Sequence, residues 1–298
     1  MLTSFETVLK LARTRGRLRF AVAGAASESV VCAVLDAQHF GILDPILIGP
    51  ADEIRRIADG MGVDLSAIPV LDEREENSIA RKSAALIHEG AADALMKGLL
   101  STPVLLRAVL DRAFNLRTDR LLSHVALMEI PAYHKLILVT DSGMISRPDL
   151  SQKREILRNA VDVMRRLGVE KPKIALLAAN EKVSDKLPET GDAVGLVRWA
   201  EGGGLGDAVV EGPMAVDIAF DPEAARIKHF KSRVSGDPDI LLIPDVSAGN
   251  IFAKGLVYLA HAKIAGVIVG ARMPIVLISR AESAESMLRS VALANIVS

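Results

Sequence analysis

Short apolar runs alternate with segments of helical period along almost the whole chain, and this alternation constrains the fold more than any other feature. The run "LRFAVAG" precedes "SESVVCAVLDAQHFG", which begins at the N-cap residue Ser27 and stops at Gly41. Because crossover helices join neighbouring parallel strands, the pattern predicts an α/β fold with mostly parallel sheets. The composition agrees, since 50% of the 298 residues are hydrophobic but only 3% are aromatic. Aliphatic strands of this kind are typical of sheets covered by helices on both faces.

The alternation breaks once, at residues 121–140. There "LLSHVALMEI" and "HKLILVTD" are separated only by "PAY", which predicts an antiparallel hairpin. The strand–helix rhythm then resumes, and the last strand and helix are predicted to return to the first half of the fold. The sequence therefore predicts two α/β lobes, one formed by residues 1–140 plus 274–298 and the other by residues 141–273.

Several classes of function are disfavoured by the composition. A formal net charge of -1 provides no general attraction to nucleic acid or to an anionic membrane. Cys32 is the only cysteine and the six histidines show no ligand spacing, so no metal site is predicted. Arg272 and Pro274 split the most apolar stretch into runs too short to span a bilayer. The amino terminus lacks the apolar region of a signal peptide, and we expect a cytoplasmic protein.

Small and polar residues directly follow several predicted strands. The carboxyl ends of parallel strands are where open α/β sheets bind ligands, and a helix that begins there offers backbone N–H groups to an anion. The residues concerned are Ser101 and Thr102 after "ALMK", Asp245, Gly249 and Asn250 after "DILLIP", and Ser279 with Arg280 after "PIVLI". Each alone is compatible with a cap, a turn or a solvated charge. Taken together, they favour a ligand that carries phosphate.

Several long stretches resemble one enzyme family, in the family's order, over residues 18–296. "LMKGLLST", "LRTDRLLSHVALMEIPAY", "VEGPMAVDIAF" and "PDVSAGNIFAKGLVYLAHAKIAGVIVGARMPIVLISRAES" are similar to the phosphate acetyltransferase/phosphate butyryltransferase family, and more closely to its butyryltransferase-like branch. The resemblance implies two α/β lobes with an interlobe cleft, a fold similar to isocitrate and isopropylmalate dehydrogenases, and a homodimer or higher homo-oligomer. It also implies that acyl-CoA and phosphate are interconverted with acyl phosphate and CoA, without a metal, a permanently bound cofactor or a covalent acyl-enzyme.

The resemblance also implies roles for individual residues. Ser279 and Arg280 match a Ser–Arg pair, and we expect them to stabilise the oxyanion and the phosphate while the CoA thiolate attacks in a ternary complex. Arg107 matches an arginine implied to contact CoA or phosphate. The predicted set of substrate-binding residues is Arg107, Thr102, Ser123, Asp245 and Asn250. His124 is interpreted as a core or lining histidine rather than a catalyst.

Some positions depart from the family pattern and leave alternatives open. Ser286 stands where the acetyltransferase branch has an aspartate that is proposed as the base, and the butyryltransferase-like branch usually has Asp and Asn where this chain has Glu282 and Ile218. The acyl chain and the general base are therefore not identified by the sequence. Two alternatives are an NAD- and metal-dependent hydroxy-acid dehydrogenase on the related fold, and a non-catalytic member that binds CoA or acyl phosphate.

Overall fold

The computed structural model describes residues 2–277 and 283–298, and these residues form two compact units. We name the units for their place in the sequence. The terminal unit contains residues 5–120 and 265–298, and the middle unit contains residues 121–264 with residues 2–4. Each unit is an α/β structure with a mostly parallel sheet, which confirms the predicted fold class.

The terminal unit has a sheet in the order β3-β2-β1-β4-β11-β10, parallel except for the antiparallel pair β10–β11. Its strands are β1 Leu18–Ala23, β2 Leu43–Gly49, β3 Val70–Asp72, β4 Ala94–Lys97, β10 Lys263–Val269 and β11 Ile275–Leu277, and the first two residues of β10 belong to the middle unit. Its helices are α1 Phe5–Arg15, α2 Glu28–Phe40, α3 Ala51–Gly60, α4 Glu76–His88, α5 Thr102–Leu110 and α11 Ala284–Val297. The predicted helix end at Gly41 is confirmed, since this residue has the left-handed φ of 85° that glycine adopts without strain.

The middle unit has a sheet in the order β5-β6-β9-β7-β8, in which β5 and β6 are antiparallel and the other pairs are parallel. Its strands are β5 Ser123–Glu129, β6 Ile137–Thr140, β7 Lys173–Leu177, β8 Val209–Met214 and β9 Ile240–Leu242. Its helices are α6 Leu150–Arg166, α7 Pro188–Trp199, α8 Val216–Phe220, α9 Pro222–Ile227 and α10 Val246–Leu259. The short helix α8 follows β8 directly and lacks the length that makes a helical period visible in a sequence.

The predicted hairpin is confirmed, because β5 and β6 pair in antiparallel register from Ala126↔Val139 to Met128↔Ile137. The compact units nevertheless differ from the predicted lobes at both boundaries. The hairpin belongs to the middle unit because β6 also pairs in parallel with β9. Residues 265–273 belong to the terminal unit, where β10 pairs with β11. Because distant strands pair, the observed boundaries between the units lie after residues 120 and 264, whereas the predicted boundaries were after residues 140 and 273.

Burial explains why the strands have continuous apolar sequences. In β1, Phe20, Ala21, Val22 and Ala23 are all fully buried, as expected for a strand covered on both faces. None of the helices in residues 2–277 and 283–298 is both long and apolar enough to cross a bilayer.

Candidate active site

In the terminal unit, two glycines bring the carboxyl ends of β1 and β4 together. A Cβ on Gly98 would lie 2.2 Å from the carbonyl oxygen of Gly24, and Gly24 itself has a φ of +77°. The backbone N–H of Leu99 donates to this same carbonyl oxygen at 2.7 Å. Any larger residue at position 98 would separate the strand ends, so glycine is required for this packing.

A buried lysine closes β4 at this edge of the sheet. Lys97 pairs with Leu277, the last residue of β11. Its Nζ donates to the carbonyl oxygens of Gly98 and Leu100, both at 3.1 Å, and so holds the loop that leads into α5. Lys97 was not predicted from the sequence as a site residue, although a cation that ends the otherwise apolar run "ALMK" is a signal that could have identified it.

The residues predicted at the start of α5 lie on one helix but on different faces. Ser101 is the N-cap residue, and its hydroxyl donates to Oε2 of Glu76 at 3.2 Å instead of capping the helix. Thr102 is half-buried at the first helical position, whereas Arg107 is exposed. Arg107 is five positions after Thr102, which places their side chains roughly 140° apart around the axis. The Arg107 guanidinium makes no hydrogen bond or ion pair within the described parts of the chain.

Ser279 and Arg280 lie outside the described residues, as does Glu282. The structure does describe two other positions at which the sequence departs from the family pattern. Ser286 lies in the first turn of α11, where its backbone N–H donates to the Oγ of the N-cap residue Ser283 at 3.3 Å. Ile218 is fully buried in the core of the middle unit. Neither position carries a group that could transfer a proton at neutral pH.

In the middle unit, a buried carboxylate organises the loop that follows β6. Asp141 is only 2% exposed. Its Oδ1 accepts from the backbone N–H groups of Gly143 at 3.0 Å and Met144 at 2.8 Å, and its Oδ2 accepts from Ile145 at 3.2 Å. Burial raises the pKa of the Asp141 carboxyl above its ordinary value, although these donors and the neighbouring His124 act in the opposite direction. Both carboxylate oxygens are thus used to hold the loop.

The imidazole of His124 lies beside this loop. Its Nδ1 is 3.3 Å from the Ser142 Oγ, and its backbone carbonyl accepts from the Thr140 hydroxyl at 2.8 Å. A Cβ on Gly143 would lie 3.3 Å from the ring, so the glycine allows the loop to pack against it. Burial lowers the pKa of the imidazole below its ordinary value, and the Asp141 carboxylate partly opposes this shift. No partner for Nε2 is found among the described residues.

Ser123 occupies a different environment from its neighbour His124. It is fully buried, and its Oγ accepts from Nδ2 of Asn159 at 2.8 Å. The same amide also donates to the carbonyl oxygen of Leu121 at 2.8 Å. The hydroxyl therefore has a partner inside the unit, and contact with a ligand would require this arrangement to open.

Asp245 and Asn250 lie on α10 in unlike positions. Asp245 is the N-cap residue, and its Oδ1 accepts from the backbone N–H of Ala248 at 2.9 Å. Asn250 is exposed one turn further on. Between them, Gly249 packs so tightly that a Cβ there would lie 2.8 Å from the Ser142 Cα. The first turn of α10 thus supports the loop that carries Ser142.

A groove of about 360 Å³ runs along the carboxyl ends of β7 and β9 in the middle unit. Its walls are mostly apolar, and its two ionisable side chains are the carboxylates of Glu189 and Asp245. Two negative charges without a cation beside them disfavour phosphate, so this groove suits an uncharged part of a ligand. Within the described residues, no group of three or more His, Cys, Asp or Glu side chains is placed to hold a metal ion.

Two α/β units with mostly parallel sheets define an α/β class of protein whose ligand sites lie at the carboxyl ends of the strands. A family model described as phosphate acetyl/butaryl transferase matches residues 75–295, which is more than half of the chain. The chain therefore belongs to the phosphate acetyl/butaryl transferase family, and it is an enzyme of the phosphate acyltransferase type.

Relatives and solved structures agree with this assignment over nearly the whole chain. A phosphate acetyltransferase of Rhizobium meliloti is 39% identical over 98% of this chain and 92% of its own length. A phosphate butyryltransferase of Clostridium acetobutylicum is 38% identical over 100% of this chain and 99% of its own. The crystal structure of a branched-chain phosphotransacylase from Enterococcus faecalis has a TM-score of 0.84 at 31% identity, covering 94% of this chain and 99% of that one.

A more distant structural neighbour shows the fold alone. A 4-hydroxythreonine-4-phosphate dehydrogenase from Burkholderia phymatum has a TM-score of 0.58 at 14% identity, covering 95% of this chain and 98% of that one. This likeness is consistent with the predicted dehydrogenase-like fold, and it carries no statement about the reaction.

Proposed function

We propose that this enzyme transfers a short acyl group reversibly between CoA and inorganic phosphate, so that acyl-CoA and phosphate give acyl phosphate and CoA. The observation that carries this proposal is the match to phosphate acyltransferases along almost the whole chain. We further propose that the CoA thiolate attacks the acyl phosphate directly in a ternary complex. No cofactor is permanently bound in this scheme, and CoA and phosphate are substrates.

The charges that develop during this reaction suggest roles for Ser279 and Arg280. Negative charge accumulates on the carbonyl oxygen and on the departing phosphate. A guanidinium can bind phosphate through two parallel hydrogen bonds, and a hydroxyl can donate to the oxyanion. We therefore assign phosphate neutralisation to Arg280 and oxyanion stabilisation to Ser279, on the basis of the sequence resemblance.

Arg107 and Thr102 are proposed to bind the phosphates of CoA or the phosphate substrate. In support of this role, Arg107 is exposed and its charge is not used by any other described side chain. Thr102 begins a helix whose free backbone N–H groups favour an anion. Asn250 and Asp245 remain proposed substrate contacts, with the groove beside Asp245 suited to an uncharged portion. Ser123 is also proposed to line the pocket, and contact of its buried hydroxyl with a ligand requires the Asn159 hydrogen bond to open.

The function is tested by the release of free thiol from acyl-CoA on addition of phosphate. Acetyl-, propionyl-, butyryl- and branched acyl-CoA should be compared, because the length of the acyl chain is not identified by the sequence. We expect phosphate-dependent turnover with at least one of them. Binding of CoA without turnover across the panel would favour a non-catalytic member, and metal-dependent reduction of NAD by a hydroxy acid would favour a dehydrogenase.

Two arginine variants separate chemistry from binding. Arg280→Ala should reduce kcat strongly, whereas Arg107→Ala should mainly raise KM for CoA or phosphate. Arg56→Ala is a matched control, because Arg56 is also an exposed helical arginine. Unchanged kinetics of Arg280→Ala would remove this residue from the mechanism.

We also propose that the chain forms a homodimer or a higher homo-oligomer. In support, α10 exposes the large apolar side chains of Ile251, Tyr258 and Leu259, the last of them 84% exposed. Exposed apolar surface of this kind is typical of protein interfaces. Light scattering coupled to gel filtration would measure the mass, and a monomer at micromolar concentration would contradict the proposal. A cytoplasmic location stays a prediction.

A further inference from the structure

We propose that His124 is the proton acceptor of the reaction: its Nε2 takes the proton from the CoA thiol when acyl phosphate is converted to acyl-CoA, and returns it in the reverse direction. This inference rests on the proposed acyl transfer and adds a catalytic residue to it. It also replaces the interpretation of His124 as a core or lining histidine.

The ring of His124 is held in one orientation while one nitrogen stays available. Nδ1 lies 3.3 Å from the Ser142 Oγ, which orients the ring, and the backbone at Gly143 passes close to it, since an added Cβ there would come within 3.3 Å of the ring. In the tautomer that we assign, Nδ1–H donates to the Ser142 hydroxyl oxygen, and the lone pair is on Nε2. That nitrogen has no partner in the described parts of the chain, and the side chain is only half-buried. A base needs this combination of a fixed ring and an open lone pair.

The position of His124 in the sheet favours contact with a ligand. β5 runs antiparallel to β6, so the first residues of β5 lie beside the carboxyl end of β6. In addition, Thr140 at that end donates to the backbone carbonyl of His124. The carboxyl ends of parallel strands are where open α/β sheets bind their ligands.

The carboxylates near this edge already have structural roles. Both oxygens of Asp141 accept backbone N–H groups of the loop after β6. Asp245 caps α10 through its Oδ1. Protonation of either carboxylate would weaken a structural contact, whereas protonation of Nε2 breaks no hydrogen bond. The imidazole is therefore the better proton acceptor of the three.

In the proposed step, each bond that forms is matched by a bond that breaks. The thiol S–H bond breaks as an N–H bond forms at Nε2, and the sulfur attacks the acyl carbon. The C–S bond forms, the bond from the acyl carbon to the phosphate oxygen breaks, and the electron pair leaves with phosphate. The proton then passes from His124 to the released phosphate. A free thiol has a pKa of about 8.5, so few molecules are ionised at pH 7 without a base. Burial lowers the pKa of His124, which keeps the ring neutral and able to accept at this pH.

The test compares His124→Gln with His88→Gln, an exposed histidine in the last turn of α4. With acyl phosphate and CoA, we expect His124→Gln to lower kcat by about 10²- to 10⁴-fold while KM changes less than about threefold. His88→Gln should match the wild type. The wild-type rate should fall as the pH drops through the lowered pKa of His124, below its ordinary value of about 6.5, because protonated His124 cannot accept, and this fall should be absent in His124→Gln. Asp141 is the charged group that acts on His124, so Asp141→Asn should shift the midpoint of the fall to lower pH.

The outcome is decided in three further ways. Unchanged kcat, or a change confined to KM, would overturn the proposal even if the wild type shows phosphate-dependent thiol release. Absence of that release in the wild type would overturn the proposed function itself. If His124→Gln does not fold, the wild type can be treated with diethyl pyrocarbonate. Modification of His124, mapped by mass spectrometry, should then abolish turnover and be slowed by CoA, and full activity after modification would overturn the proposal.

Discussion

At the amino end of the sheet in the middle unit, Lys135 and Asp239 form a buried ion pair, whereas at the carboxyl end His124 keeps one ring nitrogen without a described partner. The Lys135 Nζ lies 2.6 Å from Asp239 and 2.7 Å from Asp237. Asp237 also accepts from Lys173 at 2.7 Å. Burial alone would raise the pKa of Asp237, but hydrogen bonds from Lys135, Lys173 and His134 bring it well below its ordinary value.

The difference between the two ends reflects what each one does. Charges at the amino end neutralise each other and link the chain at the starts of β6, β7 and β9. At the carboxyl end, polar groups hold the loop after β6 and leave an imidazole nitrogen open. A buried charge that is paired has no capacity left for a substrate, and removal of its partner leaves an uncompensated charge that is strongly destabilising. One edge of the sheet therefore has its charges paired, and the other is the edge at which we propose that the chemistry takes place.

The largest effect on stability is expected at the amino end. Lys135→Met leaves Asp239 buried without its cation, and we expect a loss of about 3–5 kcal/mol in the free energy of unfolding. Urea denaturation measures this loss. Lys171→Met is the control, because the Lys171–Asp207 pair is 69% and 72% exposed and should contribute less than about 1 kcal/mol. A similar, small loss in both variants would contradict the stabilising role of the buried pair.

A second substitution tests the packing that supports the carboxyl end. Gly249→Ala places a Cβ 2.8 Å from the Ser142 Cα, and such overpacking should reduce stability by about 1–3 kcal/mol and lower turnover. Gly255→Ala, on the same helix, has open space around the new Cβ and should instead stabilise by about 0.5–1 kcal/mol. Thermal unfolding and the thiol assay provide both readouts. Equal behaviour of the two variants would mean that the contact with Ser142 is unimportant.

Ser123 and His124 are neighbours in sequence, but substitutions of the two residues are expected to affect stability and turnover differently. Ser123→Ala removes one acceptor of Asn159, which keeps the Leu121 carbonyl, and we expect a loss of about 1 kcal/mol in stability with little change in KM. Urea denaturation and steady-state kinetics would check this. A large increase in KM with unchanged stability would instead support the pocket-lining role predicted from the sequence.

The smallest expected effect is a difference in pH dependence between the two ends. Folding lowers the pKa of Asp237, so its contribution to stability is present above the unfolded pKa of about 3.9 and is lost as the pH falls through the folded value. Folding also lowers the pKa of His124, so stability is lost as the pH falls from about 6.5 towards its folded pKa. The free energy of unfolding should be measured from about pH 2 to 8. Asp237→Asn should remove the dependence on pH below about 3.9, and His124→Gln should remove the dependence below about 6.5. If a variant kept the dependence on pH that is attributed to its own residue, the attribution of that pH range to Asp237 or His124 would be contradicted.

The alternation of apolar runs and helical segments was enough to predict the α/β class, because both periodicities are local properties of the chain. The hairpin and the helix end at Gly41 were predicted for the same reason. The boundaries of the units were harder to predict, because they depend on which distant strands pair. The sequence placed Ser101 and Thr102 between a strand and a helix, but only the helix geometry shows that Thr102 and Arg107 are on different faces.

The sequence by itself determined the fold class, the family and the positions where strands give way to polar residues. Only the tertiary structure decided which polar groups have a hydrogen-bond or ion-pair partner within the described residues and which do not. His124 and Ser142 are 18 residues apart in sequence, and Lys135 and Asp239 are 104 residues apart, yet the side chains of each pair are within hydrogen-bonding distance. The physical reason is that periodicity records the local environment of a residue, whereas hydrogen bonds and burial depend on contacts between distant parts of the chain.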